Sequence, residues 1–530
     1  MNSNETKQLV KGALILTIAG IISKLLSAGY RIPLQNLTGD IGFYVYQQVY
    51  PILGIGFMLA LYGFPSAISK MVVDRKSQYQ ELSLFSFYLP VLFILFLISG
   101  GLFVFLLVNA PYIAGWIGDS LLIETYRFTA FVFLLIPVIA LLRGVFQGNY
   151  LMKPTAFSQL AEQTIRVAVI IATAIAIAES GKYIYEIGKW AVIASILGQI
   201  AAICVLILYF FRTRPFAIKQ EKIPWSYYVS TIFMFGVIAT LNHMVLLILQ
   251  FADTFTLFPS LLKGGYSKVA AMEAKGVFDR GQPLIQLGTV FGSSLALALI
   301  PSISKKKLSA DPHTFYPYIR VAMVFSVYLA AGATIGLILI FPEVNLALFQ
   351  DQQGTRELQV LVCSIVLSSV AITASSILQG LGYIKRVALF ILIAFFVKWI
   401  ANQVLVPSFG LMGSSVATVL ALFLFCVVAL TELRRKLPLL KLLRAIRWQA
   451  LLLSAVIMII YLYIVQWLFL SFFDDSRLGL FLFVSLLSIT GALVYGYSLI
   501  KLRGFTEEQL QMLPFSIHLM KLKNRRDEHV

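Results

Sequence analysis

Apolar residues fill this chain in long runs, and short polar or charged stretches separate one run from the next. A hydrocarbon core about 30 Å thick is crossed by roughly 20 apolar residues in a helix. On that measure the pattern predicts fourteen spanning helices, over 9–31, 43–69, 83–109, 122–148, 153–179, 186–211, 226–256, 283–303, 316–341, 356–383, 386–407, 410–432, 448–470 and 478–501. The expected fold class is an all-α polytopic membrane protein. The longest stretches outside the spans, around 257–282 and 502–530, are too short for a soluble catalytic domain.

The pattern also repeats. At an offset of 232 positions, Pro51-Ile52-Leu53 meets Pro283-Leu284-Ile285, and Phe146-Gln147-Gly148 meets Leu378-Gln379-Gly380. At the same offset Lys153 falls on Lys385, and Ile165-Arg166 falls on Val397-Lys398. Two basic matches are telling where charge is scarce. Each repeat holds six spans, and an even number returns the chain to its starting side. The two copies are therefore expected to run parallel around a central cavity, related by an axis along the membrane normal. This gives an N-terminal six-helix lobe over 1–215, a C-terminal six-helix lobe over 216–435, two additional helices within 436–501 and a basic tail over 502–530.

Composition supports a lipid solvent. Of 530 residues, 59% are hydrophobic and 12% charged, with mean hydropathy +0.87; soluble domains carry about 25% charged residues. The net charge of +18 is not a nucleic-acid footprint, because the basic residues sit in clusters between apolar runs. Lys70/Arg75/Lys76, Lys305/Lys306/Lys307, Arg434/Arg435/Lys436 and the other even-numbered connections are basic, whereas odd-numbered ones, such as those holding Asp119 or Asp474/Asp475, are mixed or acidic. By the positive-inside rule both termini are expected in the cytoplasm, with the protein in the cytoplasmic membrane and its tail near membrane lipids. The first apolar run carries Lys24 and lacks an A-x-A cleavage site, so it is expected to be a span rather than a signal peptide. Cys204, Cys363 and Cys426, like His243, His313, His518 and His529, are scattered, and no spacing suggests a metal or another cofactor.

A few charges fall inside the apolar runs, where ionisable groups are expensive and normally face a cavity or a partner. They are Lys24 and Arg31 in the first run, Glu162 and Arg166 in the fifth, Asp253 in the seventh and Lys398 in the eleventh. Glu162 and Arg166 are four apart and either neutralise each other or serve a ligand; Glu162 and Asp253 are the candidate charge partners. Lys398 has Ala394 where its repeat mate has Glu162. Arg31 either snorkels to an interface or faces inward. An excess of cations points to an anionic substrate, since lysine and arginine complement phosphate oxygens. Pro51 and Pro65 in the second span and Pro283 and Pro301 in the eighth are candidate helix breaks that would act as gates.

Three motifs carry a resemblance. The run from Gly20 to Arg31, the run Gly63-Phe64-Pro65-Ser66-Ala67-Ile68-Ser69-Lys70, and Arg143-Gly144-Val145-Phe146-Gln147-Gly148 resemble signatures of the MOP flippase superfamily, in its polysaccharide-transport branch from Gram-positive bacteria. The resemblance covers essentially the whole chain. It implies two six-helix lobes around a cavity and a flippase for undecaprenyl-diphosphate-linked sugars, lipid II or a related polysaccharide unit, working by alternating access. It implies that Lys24 meets the diphosphate. Arg31 is one residue displaced from a basic position of some members, and Ser27 replaces a usual glycine. Cell-wall synthases are expected partners, and a coupling ion or the membrane potential is the expected drive. A multidrug or cation antiporter of the same superfamily is the alternative, and would show twelve spans and more carboxylates. A membrane glycosyltransferase would need positioned acids or a loop domain, so no enzyme is expected.

Overall fold

The computed structural model describes residues 3–77, 82–180, 183–213, 217, 221–299, 312–469 and 476–511. The expected break at Pro301 and the tail from 512 onward lie outside the described residues. Every described element is a helix, apart from one isolated bridge between Ser83 and Ala217. Among the described residues, eleven continuous stretches are long and apolar enough to cross a membrane.

Eleven falls short of the fourteen expected, and two of the three missing spans are lost where helices run together. Ile18–Ser77 is one stretch of 60 residues and Ile384–Lys436 one of 53. Each contains a single glycine with left-handed backbone, Gly39 at φ 67° and Gly410 at φ 54°. Only glycine adopts such a φ without a Cβ penalty, and each marks a kink between two helical passages. The expected eighth span, 283–303, runs beyond the described residues; its described part is the helix Gly281–Leu299.

The chain divides into two compact units. The first comprises Met1–Pro283 with Trp399–Gly410, the second Leu284–Lys398 with Leu411–Val530. In the first unit the helices are α1 (Ser3–Gly29), α2 (Arg31–Met58), α3 (Phe64–Ser77), α4 (Leu89–Ile117), α5 (Ile123–Ala130), α6 (Val132–Gly148), α7 (Met152–Ser180), α8 (Glu186–Thr213), α9 (Trp225–Thr231), α10 (Val245–Lys263) and α11 (Lys268–Asp279).

The motif residues explain how α3 and α6 meet. A Cβ on Gly144 would lie 2.5 Å from the Cβ of Ile68, and one on Gly148 2.5 Å from the Cβ of Val72. Glycines four apart thus let α6 press against α3, the small-xxx-small packing of membrane helices. Two of the sequence motifs are the two faces of this contact.

The second span is irregular between its prolines rather than at them. Pro51 sits buried inside α2, and Pro65 is the second residue of α3. Between them Leu59–Gly63 forms a π-helical turn. In a π turn the Ala60 carbonyl would accept from the N–H of residue 65, which proline lacks. Pro283 is the third residue of its helix, within the first turn, where a missing N–H leaves no intrahelical bond unmade.

In the second unit, the helix Pro312–Leu339 packs with the helices Trp448–Phe469 and Arg477–Lys501. Val324, Tyr328, Met458, Leu462, Phe483, Leu487 and Tyr495 share one apolar cluster. The Tyr495 hydroxyl donates to the Tyr328 carbonyl at 2.8 Å. Arg477 donates to the Leu348 carbonyl at 3.1 Å, near the C-terminus of helix Phe341–Phe349, where a cation offsets the helix dipole. The helices Trp448–Phe469 and Arg477–Lys501 are anchored here.

Candidate functional site: cations inside the first unit

Two groups of charged side chains lie among the helices of the first unit. The first is built around Glu162 of α7, whose side chain is fully buried. Its Oε1 accepts from Arg166 Nη2 at 2.7 Å and its Oε2 from Arg143 Nη2 at 2.9 Å. Arg143, on α6, also donates from Nε to Ser158 Oγ at 3.0 Å, and its Nη1 lies 3.4 Å from the Ala60 carbonyl. That carbonyl is the one Pro65 cannot serve, so Arg143 answers both the proline and the carboxylate. Arg166 donates to Gln163 Oε1 at 3.1 Å, and its guanidinium lies over the Phe57 ring at 4.9 Å. One carboxylate between two guanidinium groups leaves a net positive charge.

The second group lies along the first helix. Tyr30 keeps right-handed helical backbone and bonds Leu26 and Leu34, so the helix passes through it from α1 into α2 and kinks only at Gly39. Arg31 is therefore eight residues short of the helix end. It does not snorkel: its side chain is fully buried, and its Nε, Nη1 and Nη2 have no hydrogen-bond partner among the described residues. Its guanidinium lies over the Tyr50 ring, 3.9 Å from the centroid. Tyr46 and Tyr30 complete the surroundings, their hydroxyls in contact with each other.

Lys24 is two helical turns from Arg31, about 10 Å along the axis, on the same face. It is partly buried and makes no ion pair or hydrogen bond among the described residues. His243 is within Coulombic range of it and stacks on Tyr62 at 5.0 Å between ring centroids. Arg143 is within Coulombic range of Tyr62, and Arg166 of Tyr30. Lys24, Arg31 and Arg166 are thus brought into one region of the first unit. Lys398 belongs to the second unit and is fully buried. Asp253, on α10, accepts from Asn402 Nδ2 at 2.9 Å, and the same nitrogen bonds Thr256 Oγ1 at 2.8 Å.

A different arrangement holds the end of the unit where α11 lies. Asp40 receives Arg280 at both oxygens, 3.0 and 2.6 Å, and Gln35 at 3.0 Å. Within α11, Lys275 pairs with Asp279 at 2.6 Å, both nearly fully buried. Buried Asp119 accepts from Lys268 at 3.1 Å, Tyr185 at 2.7 Å and Tyr44 at 3.2 Å. Burial and the Asp119 carboxylate push the Tyr185 hydroxyl pKa up, which keeps it a proton donor. Among the described residues, no cluster of His, Cys, Asp and Glu could hold a metal ion.

The sequence reading missed Arg143, the tyrosines around Arg31 and the Asp40–Arg280 pair. Arg143 was visible only as the first residue of a glycine motif.

Eleven apolar spanning stretches among the described residues, with helices pressed together at paired glycines, make this a multi-pass membrane protein. Residues 9–307 match the family described as Polysaccharide biosynthesis protein. The chain is 37% identical over 529 residues to the Uncharacterized membrane protein YabM of Bacillus subtilis (strain 168), covering 98% of this chain and 97% of that one. It is 22% identical over 533 residues to Lipid II flippase MurJ of the same organism, with 95% and 97% covered. The structure of Lipid II flippase MurJ in an inward closed conformation aligns with a TM-score of 0.63 at 14% identity, covering 91% of this chain and 98% of that chain. The chain belongs to the polysaccharide biosynthesis protein family of the MOP flippase superfamily.

Proposed function

We propose that this protein flips an undecaprenyl-diphosphate-linked cell-wall sugar precursor, lipid II or a related polysaccharide unit, from the inner to the outer leaflet. Lys24 and Arg31 hold the diphosphate. Arg166 and Lys398 line the path, and the six-helix lobes 1–215 and 216–435 rock around it, with Pro51, Pro65, Pro283 and Pro301 in the moving helices. Both termini are cytoplasmic, and the drive is a coupling ion or the membrane potential, worth about 2.3 kcal/mol per charge per 100 mV. Synthases that use the flipped precursor are the expected partners.

One observation carries this reading. Arg31 is fully buried with no carboxylate on any guanidinium nitrogen among the described residues, two turns from an ammonium that likewise has no anion there. Burying a cation without a counter-charge costs several kcal/mol, so a supplied anion is the natural complement. Diphosphate oxygens fit a guanidinium fork and a lysine point charge together. A cation antiporter would need a free carboxylate here, and Glu162 is already held by two arginines.

The test is a leaflet-reversal assay in reconstituted vesicles with a fluorescent undecaprenyl-diphosphate sugar. The Lys24→Ala protein is expected to fold and to lose flipping. Flipping at the wild-type rate in that variant would sink the assignment.

A further inference from the structure

We propose that Tyr50 is the gate of the Arg31 site: its ring occupies the place over the guanidinium that the substrate's anionic headgroup takes. The inference rests on the diphosphate reading above and adds the residue that controls access to it.

Arg31 is sealed, and Tyr50 is the layer that seals it. Its ring lies 3.9 Å from the guanidinium carbon, while Arg31, Tyr30 and Tyr46 are all buried and Tyr50 is only partly so. The three tyrosines differ in how they are held. Tyr46 is fixed by hydroxyl contact with Tyr30 and by stacking on Phe43 at 6.3 Å. Tyr50 makes only ring contacts, with Arg31 and with Tyr46 at 5.8 Å, and its hydroxyl has no hydrogen bond among the described residues. Rotating its side chain breaks no directional bond.

The exchange follows from what each partner offers the cation. An aromatic face attracts a guanidinium through its quadrupole but satisfies none of its five N–H donors. A diphosphate satisfies several at once, with charge on both sides of each bond. A halide offers one contact and leaves the other donors unmet. The ring therefore protects the cation from small anions and yields to a polydentate one, which makes Tyr50 a specificity-determining residue.

The test uses the full-length protein in nanodiscs, with phenylglyoxal modification of Arg31 followed by mass spectrometry. Tyr50→Phe keeps the ring and should label at the wild-type rate. Tyr50→Ala should label at least tenfold faster, and Tyr50→Leu, which keeps the apolar volume should the alanine variant not fold, at least threefold faster. Saturating undecaprenyl diphosphate should return the Tyr50→Ala rate to the wild-type value, and sodium chloride at equal ionic strength should not. Equal labelling in wild type and both ring-less variants overturns the gate while leaving the diphosphate reading standing. Fast labelling in Tyr50→Ala that undecaprenyl diphosphate does not slow overturns the ligand, and with it the function proposed above.

Discussion

The α11 region of the first unit and the region around Glu162 and Arg31 both hold cations among their helices, and they treat them in opposite ways. At the α11 end Arg280 meets Asp40, Lys275 meets Asp279, and Lys268 meets Asp119. Around Glu162, that carboxylate serves two arginines, and Arg31 and Lys24 have no anion among the described residues. A paired buried charge resists loss of either partner, whereas an unpaired one costs stability for as long as it stays. The difference separates charges that hold the fold from charges kept for something that arrives.

The sharpest way to break this comparison is to remove a paired cation. Arg143→Ala strips Glu162 of one guanidinium and the Ala60 carbonyl of a donor, and is expected to cost about 3–5 kcal/mol in thermal or denaturant unfolding. Arg280→Ala should cost less, about 2–3 kcal/mol, because the Asp40 it leaves behind is 16% exposed. Gly144→Ala forces a Cβ into Ile68 and should cost about 1–3 kcal/mol by overpacking the α3–α6 contact; a smaller shift in unfolding midpoint would mean that α6 can back away. Arg31→Met is expected to be the mildest, within about 1 kcal/mol of wild type or more stable, because an apolar side chain replaces an unpaired buried charge. A loss of 3 kcal/mol or more there would place Arg31 among the structural charges.

Much of this was legible in the chain. Helix existence followed from run length, the Glu162–Arg166 pair from a spacing of four, and Lys24 and Arg31 from charge in an apolar run. The chain alone left open whether Arg31 snorkels or faces inward, because the apolar pattern fades near Tyr30 while the helix continues to Gly39 on local hydrogen bonds. Arg143 reaches a carboxylate on the next helix, and Arg280 reaches Asp40 across 240 positions; charge type alone does not name such partners. Tyr50 was hidden among 24 tyrosines, since an aromatic in a membrane helix carries no signal of which cation it covers. Two of the three spans missing from the expected fourteen go for a related reason: the kinks at Gly39 and Gly410 leave the helical hydrogen bonding nearly continuous on either side, and the third, 283–303, runs beyond the described residues.

The most direct measurement is the affinity of undecaprenyl diphosphate for the protein in nanodiscs, wild type against Arg31→Gln, with thermal unfolding recorded on the same samples. Losing charged contacts of about 2–5 kcal/mol weakens binding at least tenfold, and the account predicts that loss at an unchanged unfolding midpoint. Equal affinity in the two proteins would contradict it.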